Sequence, residues 1–320
     1  MKTINSPIVV LSFVLLVCNV VAFAEANTEQ KAVLVTGASS GIGLRIAETL
    51  ASNGFYVYAG ARKEADLERL DAMDNMSSVR LDVTVQKEID AAVDFVKGEG
   101  RGLWGIVNNA GVVVLSPLSR GSDVDILFTF DVNVFGPVRV NQAFLPLIIE
   151  SKGRTTTISS ISGFIADSGD GGYSASKFAV EGYTDSLAIE LSRTGVHVSV
   201  VEPGQYKSEI RGKMLAQLLA SADAGEIELD AAKRAELISS NYGNNALKEP
   251  DEVARAVLHV MSSDTPKRRY MVTPNAEEAR WTISAAMQRL LELNEEQEYS
   301  YSRDQLVGLL DELSEKQQSD

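Results

Sequence analysis

The chain has 320 residues and a mass of 34.6 kDa, with 45% hydrophobic and 23% charged side chains, 24 Gly and 8 Pro. This balance suits one large α/β domain and excludes a disordered or fibrous chain. With 30 basic against 44 acidic side chains the formal charge is −14, which argues against a nucleic-acid partner, and one Cys with two His supplies neither a disulfide framework nor a metal site.

The chain opens with Lys2 and an apolar run from Ile8 to Ala24 broken only by Ser12 and Asn19. Ala22-Phe23-Ala24 offers small residues at the two positions a signal peptidase reads, so residues 1–24 read as a signal peptide that exports the protein to a periplasm or a secretory lumen. An uncleaved membrane anchor through residues 8–24 is the alternative, and it is the only membrane contact expected.

From Lys31 short apolar runs alternate with segments of helical spacing. Lys31 to Thr36, Phe55 to Ala59, Val79 to Leu81, Leu103 to Val107, Thr155 to Ser159 and Val196 to Val201 read as strands. Between them lie helices at Gly41 to Asn53, Glu64 to Leu70, Ile89 to Val96, Ile126 to Glu150 and Tyr173 to Arg193. Strand-helix alternation of this kind packs as a doubly wound parallel sheet, here a single Rossmann-type domain over residues 31–273. After Gly204 two Ala- and Leu-rich helices with no strand between them form a helical substrate lid over residues 205–245. A helix at Glu252 to Met261 and a strand near Tyr270 close the sheet. Residues 275–320 form an acidic helical tail whose stripe of Leu306, Leu309, Leu310 and Leu313 is expected to pack on the domain or form a dimer contact.

Gly37-Ala38-Ser39-Ser40-Gly41-Ile42-Gly43 lies where the first strand turns into the first helix. Glycines there let the backbone turn tightly and a pyrophosphate approach the free amides of the helix N-terminus. The second strand ends Ala61-Arg62-Lys63, with no acidic residue to hold the ribose hydroxyls of NAD. Ala61 leaves room for a 2′-phosphate, Arg62 can pair with it, and Lys63 and Ser39 can assist, so NADP is expected as cofactor with NAD possible. Asp82, followed by Val83, ends the third strand where its carboxylate can accept from the adenine amino group. Asn108-Asn109-Ala110-Gly111 ends the fourth and brings the backbone close to the cofactor.

Tyr173 and Lys177 sit at i, i+4 on one helix, so phenol and ammonium share a face. A neighbouring cation favours the phenolate and brings tyrosine toward the working range of a base. Ser160 follows the fifth strand at the edge where open α/β sheets bind ligands, and its hydroxyl can hold a substrate oxygen.

On these motifs, with Asn133-Val134-Phe135-Gly136 and Pro203-Gly204 in the same order, the chain over about residues 31–208 resembles the short-chain dehydrogenase/reductase family. The resemblance implies a catalytic tetrad of Asn133, Ser160, Tyr173 and Lys177. Tyr173 would exchange a proton with the substrate oxygen while the nicotinamide exchanges a hydride with its carbon, Lys177 would also bind the ribose, and Asn133 would seat a water of a proton relay. Pro203 and Gly204 would fix the nicotinamide and Ser208 its carboxamide. Gly102 to Val107, Phe144 to Ile148 and Val198 to Gly204 are similar to the retinol, 17β-hydroxysteroid and 3-hydroxybutyrate dehydrogenase branch. That likeness implies a secondary, mostly lipophilic alcohol or carbonyl substrate and a homodimer or homotetramer. A 3-oxoacyl reductase and a non-catalytic dinucleotide-binding sensor are the alternatives. The intact tetrad argues against the sensor, and the acidic charge against a carrier-bound acyl substrate. His197, within a strand, and His259, within a helix, read as structural.

Overall fold

The computed structural model describes residues 30–115, 118–119, 121–166, 170–225, 227–240 and 246–319. The signal segment 1–24 lies outside the described residues, as do positions 241–245 of the expected lid.

Seven strands form one all-parallel sheet in the order β3-β2-β1-β4-β5-β6-β7. They are β1 (Ala32–Val35), β2 (Tyr56–Ala61), β3 (Met76–Arg80), β4 (Gly105–Asn108), β5 (Arg154–Ile158), β6 (His197–Pro203) and β7 (Arg269–Val272). Helices α1 (Gly41–Ser52), α2 (Glu64–Asp71), α3 (Gln86–Gly98), α4 (Asp123–Phe130), α5 (Gly136–Ser151) and α6 (Gly171–Leu191) link them in turn. Helices α7 (Glu209–Asp223) and α8 (Ala231–Ser239) follow β6 in the stretch expected to form a lid, α9 (Asp251–Ser262) leads to β7, and α10 (Ala276–Asn294) and α11 (Arg303–Ser319) come last. The fold is therefore the doubly wound α/β class that the alternation predicts.

Side chains alternate across each strand, so the sheet feeds two cores. Val33 and Val35 pack with Ile46 and Leu50 of α1 and Val257 of α9 on one face. Ala32 and Leu34 pack with Ile89 of α3 and Val140, Phe144 and Ile148 of α5 on the other. The run Asp123–Ser151 is long and apolar enough to cross a membrane, yet Val140, Phe144 and Ile148 on it are at most 1% exposed against the sheet.

Three differences from the sequence expectation have physical causes. β3 begins three residues earlier than its apolar tail suggests, because Ser77 and Ser78 satisfy their hydroxyls on Tyr56 and Asp71 at the sheet edge. The expected single helix over residues 126–150 is interrupted by one π turn, Asp131–Phe135, which carries Asn133. Of the two places expected for the Leu stripe of α11, the domain surface takes little of it: Leu306 is half-buried, while Leu309, Leu310 and Leu313 are exposed and left for the other, a second copy. His259 is structural as expected, its Nδ1 lying 2.9 Å from the Tyr270 hydroxyl.

Phe144 is fully buried between α5 and the sheet. Phe144→Ala is expected to cost about 3–5 kcal/mol of stability, to be read from the urea midpoint at unchanged m-value; a loss below about 1 kcal/mol would show that this face is not close-packed.

Candidate active site

The strand order reverses direction between β1 and β4, and an open α/β sheet binds ligands at that point, beyond the carboxyl ends of its strands. Thr36 staples these two ends together. Its Oγ1 accepts from the backbone N–H groups of Asn109 and Ala110, each at 3.0 Å. Asn109 answers with its side-chain amide, donating to the Thr36 and Gly37 carbonyls at 3.0 and 3.1 Å.

The glycines are required by this close approach. Gly37 and Gly41 have φ of +65° and +56°, which side chains rarely adopt. A Cβ on Gly37 would lie 2.9 Å from Ala110 Cα, and one on Gly43 would run into the Asn109 amide and the Gly37 carbonyl. Ser40, the cap residue of α1, makes no side-chain cap bond, so no side chain covers the first amides of the helix from that position. Arg69 of α2 donates to the Ser39 carbonyl at 2.6 Å and fixes the outer side of the loop.

One cleft runs along these ends. It is lined by Gly37, Ser39, Ser40, Gly41, Ile42 and Gly43, then by Arg62, Asp82 and Val83, then by Asn109, Ala110 and Gly111. Ser160, Tyr173, Lys177, Pro203, Gly204 and Ser208 line its other half. Every residue expected to act from sequence therefore borders this cleft except Asn133, and Lys63 does not border it either.

Arg62 is exposed and donates to Asp82 at 3.4 Å. Asp82 Oδ1 accepts from the Thr84 N–H and hydroxyl at 2.9 and 2.7 Å. Burial raises the Asp82 carboxyl, but the Thr84 hydrogen bonds and Arg62 outweigh it and hold the group below its usual range. Both side chains thus engage each other at the mouth of the cleft, rather than standing independently as the sequence suggests. Arg62 still presents further donors to the cleft.

Tyr173 stands in the first turn of α6, and the Lys177 ammonium lies 5.5 Å from its ring centre. Lys177 is 6% exposed and donates to the Ile158 carbonyl at 2.9 Å. Burial pushes its amine down to about 8, with Glu181 opposing. Ser160 caps the turn Ile161–Gly163, its hydroxyl accepting from the Ser162 N–H at 3.1 Å.

Asn133 acts from behind the cleft. Its Oδ1 accepts from Val112 N–H at 2.8 Å, and its Nδ2 donates to the Val112 carbonyl at 2.9 Å and to Ser176 Oγ at 3.0 Å. Ser176 in turn donates to the Tyr173 carbonyl at 2.7 Å. The Asn133 side chain is thus committed to protein groups and ties the loop after β4, at Val112, to the helix that carries Tyr173.

Sequence reasoning missed Thr36 as a staple, Ser176 as a link and the tail as part of the site. Trp281 of α10 lines the cleft, and Glu278 Oε2 accepts from the Gln205 N–H at 2.8 Å. Nothing in the tail sequence signals that return. Ser176 lies inside the Tyr173 to Lys177 motif and was open to notice.

Residues 31–218 match the family profile of the short chain dehydrogenases. The chain is 36% identical over 264 residues to the mitochondrial D-beta-hydroxybutyrate dehydrogenase of Bos taurus, a match covering 75% of this chain and 76% of that one. It is 37% identical over 193 residues to retinol dehydrogenase 16 of Homo sapiens, covering 59% and 61%. Among solved structures it resembles an actinorhodin polyketide ketoreductase determined with NADPH, at 28% identity and a TM-score of 0.63 over 77% of this chain and 95% of that one.

Gly43→Ala is expected to weaken dinucleotide binding about tenfold or more, a loss of about 1.4 kcal/mol, measured by quenching of tryptophan fluorescence. Gly98→Ala, where an added Cβ meets nothing within 4 Å, is the control and should bind as the wild type does.

Proposed function

Since the chain belongs to the short-chain dehydrogenase family of oxidoreductases, we propose that it interconverts a secondary alcohol and its carbonyl with NADP as the preferred cofactor. The observation that carries this reading is the buried Lys177 ammonium beside Tyr173, in the same cleft as the glycine loop.

The residues present fit a dinucleotide. Gly37, Gly41 and Gly43 leave the space that a Cβ would fill, and Ser39, Ser40, Ile42 and Ser208 border it. Asp82 and Val83 border the adenine end, with Ala61 and Arg62 beside them. Arg62 in place of an acidic residue favours a 2′-phosphate, since guanidinium pairs with phosphate while carboxylate repels it. Asn109, Ala110 and Gly111 form the floor, and Pro203 and Gly204 border the nicotinamide end. When bound, the nicotinamide supplies a hydride to the carbonyl carbon or takes one from the alcohol.

The chain's own groups handle the proton. Ser160 holds the substrate oxygen and Tyr173 gives it a proton in reduction or takes one in oxidation. A tyrosine ordinarily titrates near 10, so the nearby ammonium of Lys177 is what brings its phenol toward neutrality. Asn133 fixes the distance between the backbone at Val112 and the turn of Tyr173, and so sets where the substrate sits between them.

The substrate half of the cleft has an apolar wall of Val112, Val113, Ile165, Ile210, Met214 and Trp281, with Ser162, Asp170, Gln205, Glu209 and Lys213 as further polar lining. That wall supports a substrate with a lipophilic part, in line with the retinol named for one relative; the hydroxybutyrate named for the other is a small polar acid. Exposed Leu127, Phe128 and Phe135 on the α4–α5 segment support pairing with a second copy. The apolar run from Ile8 to Ala24 supports export or anchoring of the chain.

Tyr173→Phe is expected to abolish turnover of a lipophilic ketone by NADPH, by about 10³-fold or more against the 10²–10⁴ typical of general acid catalysis, with NADPH binding changed less than about threefold, under 0.7 kcal/mol. Retained turnover refutes the reading. Arg62→Asp should turn the preference from NADPH toward NADH, measured as the ratio of the two kcat/KM values; an unchanged ratio would remove Arg62 from cofactor choice.

A further inference from the structure

Behind Lys177 lies a cluster of charges that does not border the cleft. Glu181, one turn further along α6, is 7% exposed, and Glu202, directly before Pro203 on β6, is 1% exposed. Arg269 of β7 reaches both. Its Nη1 donates to Glu181 Oε2 and, at 3.1 Å, to Glu202 Oε1, while its Nη2 donates to Asp185 Oδ2 at 2.7 Å. Arg268 donates to the other Asp185 oxygen at 2.8 Å. Glu181 Oε1 is buried with no hydrogen-bond partner, and a Cβ on Gly163 would lie 2.9 Å from it, so the carboxylate is confined.

Burying such a cluster is costly, and apolar residues of similar size often serve stability as well or better. Its placement suggests what it serves. Near the Lys177 ammonium stand the Ile158 carbonyl, Tyr173 and, across Gly111, Asn133, and Glu181 lies buried one turn on along the same helix, at i+4. Asp170 stands at the N-terminal end of α6, and Glu202, Asp185 and Arg269 stand beyond Glu181. Glu181 is the charged group whose field favours the ammonium.

We propose that Glu181 is a positioning residue for the reaction: from one turn along the same helix it holds the buried Lys177 side chain as the ammonium, and Arg269 holds Glu181 in place. The proposal rests on the role given to Lys177 above. Without Glu181 the amine would lose the charge that opposes burial, and the ammonium beside Tyr173 would give up its proton more readily. Without Arg269, the buried carboxylates of Glu181 and Glu202 would face each other with no cation between them. Glu202 is the one that yields. Burial and then the Glu181 charge push its carboxyl up to about 7, against the pull of Arg269, so near neutrality the pair need not hold two full charges.

The test is an NMR titration of the full chain with lysine labelled with 13C at Cε, the Lys177 signal being assigned by its loss in Lys177→Met. In Glu181→Gln the Lys177 midpoint should fall by about one pH unit, a tenfold loss of proton affinity. Glu202→Gln, which touches Arg269 but not Lys177, should leave the midpoint within about 0.3 unit, a twofold change at most. An unmoved midpoint in Glu181→Gln, or an equal fall in both variants, overturns the proposal, the second because it would reflect general loosening of the sheet edge. If Glu181→Gln fails to fold, Glu181→Asp is titrated instead. Drawing the carboxylate back by one methylene should lower the midpoint by a smaller amount, and no change would again overturn the proposal. Tyr173→Phe separates the two readings: if it is inactive while the Glu181 variants leave Lys177 unmoved, only the present inference fails; if it is active, the assigned chemistry fails.

Discussion

A lysine ammonium held out of water is the constraint to which the rest of the site answers. Desolvation disfavours the charged amine, and Lys177 is nearly buried, yet the ammonium is what a tyrosine needs if it is to work near neutral pH. The fold meets this demand from several elements at once. β5 ends so that the Ile158 carbonyl accepts from Nζ, α6 places Tyr173 one turn before the lysine, and Glu181 follows one turn after. The anion is in turn held by an arginine from β7, the last strand of the sheet. The helix that carries Tyr173 and Lys177 is thus tied through Glu181 to a strand some ninety positions later in the chain, and in the proposed reading its chemistry depends on that tie.

The second half of the site is organised by a different device. Where β1 and β4 part, backbone groups at the strand ends lose their ladder partners, and Thr36 with Asn109 replaces those partners by side-chain hydrogen bonds. The staple holds the glycine loop at a separation that only glycine tolerates at position 43. Rigid, closely approached backbone with open amides is what a diphosphate requires. The staple and the glycines are therefore one feature: removing either lets the loop relax away from the geometry that the other was built for.

How much of this the sequence discloses follows from how local each signal is. Apolar runs of four to six residues and helical spacing mark the strands and helices that feed the core, since burial fixes both. β3 was partly hidden because it lies at the sheet edge and its serines find polar partners there. The i, i+4 pair of Tyr173 and Lys177 and the glycine loop are legible because their chemistry needs neighbours close in sequence. Asn133 was legible as a residue but not in its position: a π turn rotates it behind the cleft, where its amide bridges Val112 and Ser176. Arg269 and Glu202 carry no local mark at all, because each is meaningful only through the sheet register that brings them to Glu181. Trp281 is hidden for the same reason, reached only when α10 folds back toward Gly204.

That return of the tail changes how the substrate half of the cleft should be understood. The lid helix α7 is latched to the segment after β4 by Gln217, which both donates to and accepts from the Leu115 backbone, at 3.3 and 3.1 Å. Opposite it, Glu278 of α10 accepts from the Gln205 backbone at the point where β6 ends. The first contact is a pair of half-buried hydrogen bonds and the second a single exposed one, each bond worth about 0.5–1.5 kcal/mol net, whereas the glycine loop is held by a buried sheet. Cofactor and substrate halves are therefore built to different stiffness. The glycine-loop half is thereby held to one geometry, whereas the half bordered by Met214 and Trp281, the proposed place of the substrate, rests on links of the kind that open at low cost.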